Sequence, residues 1–440
     1  MLKPSSVKKK FLGVLRETEA GIHRFVRSPG KDMTRHRSCT FTDTVLATMT
    51  MSSWRTNTEL LGFFGDRGRR VVSKSAFCQQ RGKLSDALFP HILEEFNRAT
   101  PMRKRFKGYR LVAADGTDVN IPTDAGDAAF AVRQARSDGH YYQMHANALY
   151  DICEDRYLDM EVQPRPAMNE NAALLLMAGR LGDAGRTAVV ADRGYATLNT
   201  FAALGDGGLK FVIRCKSPDS RGSLLSGLAG PGAGADATVT FGITRSHRKC
   251  YSGSPGRFKC LGAGRTFEPI PPGDRETVYS MTLRIVAVET AGGTEYLATN
   301  IWEDELPAQD IGEIYRRRWG IETSFRSLKH ALSLVYFHSV KREFVIQELY
   351  AKTILYNIAS LLRAYAEHER GKREQGRSYR HPHRVSFDDA VPVARRLLRT
   401  AMSNAAALGL LLMHLSSVRE GKPGPRKVRS QSAKPLNCRA

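Results

Sequence analysis

Two short runs of small and β-branched residues each stop on an aspartate: LVAA before Asp115 and TAVVA before Asp192. Runs of this length, closed by turn signals (DGTD and DRGY), read as buried strands rather than helices. Helical patterns, NAALLLMAGRL and TLNTFAAL, lie before and after the second run. Strands alternating with helices restrict the chain to an α/β architecture, with acids projecting from one edge of a sheet.

The balance of charge narrows the partners. Lys and Arg total 67 against 44 Asp and Glu, a formal charge of +23. Such a field attracts polyanions, and neutralising phosphates releases counterions from nucleic acid. Hydrophobic content of 42% is that of an ordinary globular protein, and 440 residues suffice for two or three domains. Seven scattered cysteines do not form a disulfide framework, which points to a reducing cytosol. MLKPSSVKKKFLGVLRE lacks the apolar core of a signal peptide, and the longest apolar run, around LGLLLM, is too short to span a bilayer. The expectation is a cytoplasmic, nucleoid-associated protein with no membrane contact.

Six regions follow from texture. Residues 1–38 are rich in Lys, Arg and Ser and read as a mobile basic arm. Residues 39–105 carry helical spacing in TFTDTVLATMTM, NTELLGFFG and LSDALFPHILEEFN, opened by Thr or Ser caps, with the basic SKSAFCQQRGKL between them. A small DNA-end-binding region fits this pattern, as any helical domain would. Residues 106–216 form the first part of the α/β core, and HANALYDICEDRYLDMEV reads as two strands joined near Glu154–Asp155. Residues 217–290 read as an inserted β-rich subdomain. Its Gly-rich run GLAGPGAGAD lacks the Gly-Lys-Ser/Thr of a phosphate loop and is expected to be a flexible loop. Residues 291–370 return to the core and turn helical, and residues 371–440 form a basic C-terminal region ending in a disordered tail.

The helix around IYRRRWGIETSFRSLKHAL supplies a third acid, Glu322. At about 100° per residue, Tyr315, Arg318, Glu322 and Lys329 fall within about 60° of one another if the helix is continuous through Gly320. Ile321, Phe325, Leu328 and Leu332 form an apolar stripe that would dock the helix on the sheet, and Trp319 reads as core. Three carboxylates at one edge repel unless a divalent cation lies between them, and oxygen ligands suit Mg²⁺ or Mn²⁺. Two such ions would serve in-line displacement at phosphorus. An Asp after a strand is more often a turn or cap residue, and the helix face has the alternative reading of a solvated face with local ion pairs. Asp118 competes with Asp115; Asp115 is preferred because it ends the apolar run, whereas Asp118 sits in the turn.

At these residues the sequence resembles a family. Y315-RR-R318-WGI-E322-TSFRSL-K329 reproduces the Tyr-x2-Arg-x3-Glu-x6-Lys signature of insertion-sequence transposases of family four. ATNIW, ADGT at Asp115 and ADRGY at Asp192 are similar to it as well, and the resemblance spans roughly residues 75–365. It implies an RNase H-like catalytic core with an inserted β-rich subdomain and a helical N-terminal region. It implies a catalytic, metal-binding triad of Asp115, Asp192 and Glu322 with Mg²⁺ (Mn²⁺ possible) as cofactor. The implied reaction is cleavage at transposon terminal inverted repeats followed by strand transfer into target DNA. Tyr315, Arg318 and Lys329 would contact the DNA backbone, and a homodimer would hold the two double-stranded ends.

Three other readings compete. An inactive relative that only binds DNA would not need all three acids, and a metal nuclease of repair or restriction would not need the Tyr, Arg and Lys at these spacings. His247, Cys250 and Cys260 in SHRKCYSGSPGRFKC suggest a zinc module, but the spacing matches no standard finger and no fourth ligand is evident. No G-x-S-x-G elbow supports serine hydrolysis.

Overall fold

In the computed structural model, the described residues are all except 36, 123–127, 134–138, 183–184, 229–235, 252–257, 375–382 and 418–440. The chain opens with helices α1 (Pro4–Ala20), α2 (Phe41–Thr50), α3 (Thr56–Asp66), α4 (Lys74–Arg81) and α5 (Leu88–Ala99). The mobile arm expected at the N-terminus is instead largely α1. Val7, Phe11, Val14 and Leu15 make a buried stripe at helical spacing within a lysine-rich segment, so burial wins over composition. Thr40 and Asp43 form a reciprocal capping box that starts α2.

The α/β part follows as β1 (Arg110–Ile121), β2 (Ala131–Arg133), β3 (His140–Asp151), β4 (Arg156–Pro164), α6 (Glu170–Ala178), β5 (Thr187–Ala191), α7 (Leu198–Asp206) and β6 (Lys210–Cys215). Next come β7 (Asp236–Thr244), α8 (His247–Tyr251), β8 (Phe258–Cys260), β9 (Val278–Thr290) and β10 (Gly293–Thr299). These strands make one mixed sheet in the order β2-β3-β1-β5-β6-β10-β9-β7-β8, with β4 paired to β3. β1, β5 and β6 run parallel, as crossovers through α6 and α7 require. The β-rich stretch expected as an inserted subdomain does not form a sheet of its own. β9 pairs with β10, which pairs with β6, so its strands prolong the core sheet. The Gly-rich run lies mostly outside the described residues, as does the tail from residue 418.

The C-terminal third holds α9 (Ala308–Arg317), α10 (Trp319–Lys329), α11 (Arg342–Arg373), β11 (His383–Val385), α12 (Phe387–Arg399), α13 (Asn404–Met413) and β12 (Leu415–Ser417). α11 is buried over most of its first 25 residues, and the polar groups it takes inside, such as Gln347, Glu348 and Asn357, are hydrogen-bonded. One continuous core joins it to α1, α2, α3 and α5, to α10 and to one face of β1, β3 and β4. The N-terminal helices are therefore not a separate module. They are also pinned to α11 by charge. Buried Arg81 donates to Gln347 Oε1 and Glu348 Oε1, each at 2.9 Å, and to the Phe344 carbonyl. Glu348 accepts in turn from the backbone N–H of His338. Removing one partner of such a buried pair costs far more than the pair contributes, so these contacts hold register.

Candidate active site

The parallel register of β1 and β5 sets Ala114 opposite Ala191, the last paired positions. Asp115 and Asp192 are the next residues on each chain segment, so they lie side by side where the β1–β5 pairing ends. Asp192 ends β5 and accepts from the Arg193 N–H at 2.7 Å, as the cap of a short turn. Asp115 does not end β1. The strand runs on through Gly116, Thr117 and Asp118 to Ile121, because every residue from Val112 to Ile121 pairs with β3. Asp118 is thus a strand residue, not a turn residue as its sequence suggests.

Glu322 reaches the same edge from α10, which packs on β1 through buried Ile321, Phe325 and Leu328. The helix is not continuous through the signature. α9 ends at Arg317 and α10 begins at Trp319, with Arg318 at the junction. Even so, the signature residues converge on the acids. The Tyr315 hydroxyl donates to Asp192 Oδ1 at 3.3 Å. Arg318, 5% exposed, donates to Glu322 Oε1 at 2.9 Å and stands 3.6 Å from Asp115 Oδ2. Its Nε is buried with no hydrogen-bond partner among the described residues. Lys329 is half-buried at the end of α10, where burial lowers its ammonium and Asp118 pulls the other way. Trp319 is 42% exposed rather than core, with the Arg318 guanidinium 5.6 Å from its ring.

Burial pushes the Asp115 carboxyl up to about 6; the Gly116 N–H and Arg318 oppose this, while Glu322 and Glu170 add like charge. Crowded, partly desolvated carboxylates are the arrangement that a hard divalent cation relieves, and the donor chemistry fits Mg²⁺ or Mn²⁺. Among the described residues, however, no three Asp, Glu, His or Cys side chains already stand as a ligand set. In this arrangement the Arg318 guanidinium supplies the positive charge between Asp115 and Glu322. The same holds for the zinc idea: Cys260 Sγ is 3.9 Å from His247 Nδ1, but no three-ligand group forms there.

Sequence reasoning missed a second polar cluster behind β1. Asp118 Oδ1 lies 2.7 Å from His145 Nδ1 and 2.8 Å from Arg165 Nε. The other ring nitrogen of His145 is 2.9 Å from Glu170 Oε1. Burial pulls the imidazole down, but hydrogen bonds to the two carboxylates outweigh it and raise it to about 9. Asp118 and His145 are cross-strand partners in the antiparallel β1–β3 register, which the turn-like composition of DGTD concealed.

The chain is similar to known transposases. Residues 106–358 match the family model described as a transposase DDE domain. The transposase InsG of insertion sequence element IS4, from Escherichia coli strain K12, is 24% identical over 343 residues, covering 76% of this chain and 69% of that protein. A cryo-EM structure of the piggyBac transposase synaptic complex with hairpin DNA aligns with 90% of this chain and 80% of its own, at 10% identity and a TM-score of 0.42. The family model spans more than half of the 440 residues and includes β1, β5 and α10. The chain therefore belongs to the DDE transposase family and is a DNA transposase.

Proposed function

We propose that this transposase cuts DNA at terminal inverted repeats and joins the freed ends to target DNA, using Asp115, Asp192 and Glu322 to hold divalent metal. The observation that carries the reading is the place of Asp115 and Asp192 side by side where the parallel β1–β5 pairing ends, with Arg318 linking Glu322 to Asp115 there. The β1-β3-β4 meander followed by α6, β5, α7 and β6 is read as an RNase H-like core.

When bound, Mg²⁺ (or Mn²⁺) would activate the attacking oxygen and stabilise the leaving one. The chain's own residues do the rest. The two aspartates fix the metal end of the site on a rigid sheet, and Glu322 closes it from a helix. Arg318, with an unpaired buried Nε and two acids for partners, is suited to release its carboxylates and take a phosphate oxygen. Tyr315 orients Asp192 and meets the DNA backbone beside it. Lys329 contacts phosphate from the far end of α10. None of these contacts reads bases, so they position the duplex without specifying it.

The ends themselves are read elsewhere, and residues 39–105 are assigned to that task, with two copies of the chain pairing the ends as a homodimer. A strand-transfer assay on the element's own terminal repeats tests the reading. Joined products in Mg²⁺ that vanish with Asp192→Ala or Glu322→Ala support it. DNA binding without cleavage would favour an inactive end-binder, and hydrolysis without joining a simple nuclease.

A further inference from the structure

Glu170 opens α6, whose cap is Asn169. Its carboxylate lies over both aspartate-bearing segments from the face of the sheet opposite α10. Oε1 bonds His145 Nε2 at 2.9 Å directly above the backbone of Gly116, the neighbour of Asp115. A Cβ built on Gly116 would meet His145 Nε2 at 2.2 Å and Glu170 Oε1 at 2.8 Å, so only glycine lets the pair close. Oε2 faces the other segment, 3.7 Å from where a Cβ on Gly194 would lie, two residues beyond Asp192. An independent contact binds the same two elements: Asn171 Nδ2 donates to the Gly194 carbonyl at 3.2 Å.

The support behind Glu170 is unusually complete. His145 is 5% exposed and is gripped on its far side by Asp118, which Arg165 holds in turn. The carboxylate cannot swing away without stranding a buried imidazole. The first turn of a helix favours its negative charge, and its side chain keeps 29% exposure toward solvent.

We propose that Glu170 is a positioning residue of the active site, whose charge, fixed by His145 between the Asp115 and Asp192 segments, holds them in place for the divalent cation. The proposal rests on the assignment of those two aspartates as cation ligands. Outer carboxylates of this kind change metal affinity by roughly tenfold to a hundredfold when removed.

The test uses full-length protein without DNA and reads Mn²⁺ binding by electron paramagnetic resonance, beside the melting midpoint in EDTA. Glu170→Gln keeps the shape and the bond to His145 but removes the charge. Its Mn²⁺ Kd is expected to rise about tenfold or more, while Asp192→Asn abolishes binding. A Glu170→Gln protein with wild-type Mn²⁺ affinity, whatever its melting midpoint, overturns the proposal and leaves the aspartates standing. Unchanged affinity in both variants overturns the ligand assignment as well. Should Glu170→Gln fail to fold, the wild-type chain loaded with Fe²⁺ and treated with ascorbate and peroxide supplies the answer. Backbone cuts near residue 170 are expected alongside those near 115 and 192, and their absence at 170 sinks the idea.

Discussion

Arg318 donates to Glu322 across one turn of helix, at 2.9 Å, from a position almost closed to solvent. Its other terminal nitrogen is 3.6 Å from Asp115. A cation built into the protein thus stands between two of the acids. On the proposed assignment, a metal ion bound by both would compete with Arg318 for them.

Arg318→Met should therefore expose the repulsion. In EDTA the variant is expected to lose on the order of 2 kcal/mol of stability, since two acids lose a partly buried partner. Adding Mn²⁺ should return more stability to the variant than to the wild type. Equal gains in paired urea titrations would mean that the arginine and the ion do not share a place.

Lys329→Ala tests the remote end of the signature. Binding to terminal-repeat DNA should weaken, and the plot of log affinity against log salt should flatten by about one unit. A slope equal to the wild-type one would place Lys329 away from phosphate.

Gly116→Ala carries the smallest added atom group and a large expected cost. The new methyl would overlap the His145–Glu170 contact, and overpacking of this kind costs about 1–3 kcal/mol. Cleavage should fall to background with the protein still folded at 25 °C. Normal cleavage would show that the second polar cluster has no bearing on Asp115.

Stability should also rise with pH through an element far from the acids. Burial, with Arg395 adding to it, pulls the Lys352 ammonium down from 10.5 to about 7, against Glu348 and Glu59. The unfolded chain binds the extra proton between those values. Stability attributable to Lys352 therefore climbs from pH 7 toward 10.5, by at most about 1.4 kcal/mol per pH unit, and is flat below 7. Urea unfolding at pH 7, 8 and 9 should show that slope reduced in Lys352→Met. Parallel profiles for the two proteins would refute it.

The sequence made some of this legible and hid the rest for physical reasons. LVAA and TAVVA declare themselves as strands because a buried strand needs nothing but small and branched apolar residues. Ile321, Phe325, Leu328 and Leu332 are all buried, as their spacing predicts. The fate of Asp118 was hidden because DGTD is a turn by composition, and only pairing with β3 keeps it extended. The same pairing brings in His145, so one misjudged strand end concealed the whole cluster around Glu170. Trp319 reads as core in the sequence, whereas it opens α10 beside the Arg318 junction and is 42% exposed. The long-range joins, α1 onto α11 and β9 onto the core sheet, have no local signature at all.

The shared core around α11 bears on how such a gene can change. Residues from Val7 to Phe96 and from Ile321 to Leu411 bury one another without a seam. A different set of front helices grafted onto this chain would face a foreign α11 and lose that core. Changes to the helical front are therefore confined to point changes on exposed surfaces, and its buried residues vary only together with those of α11.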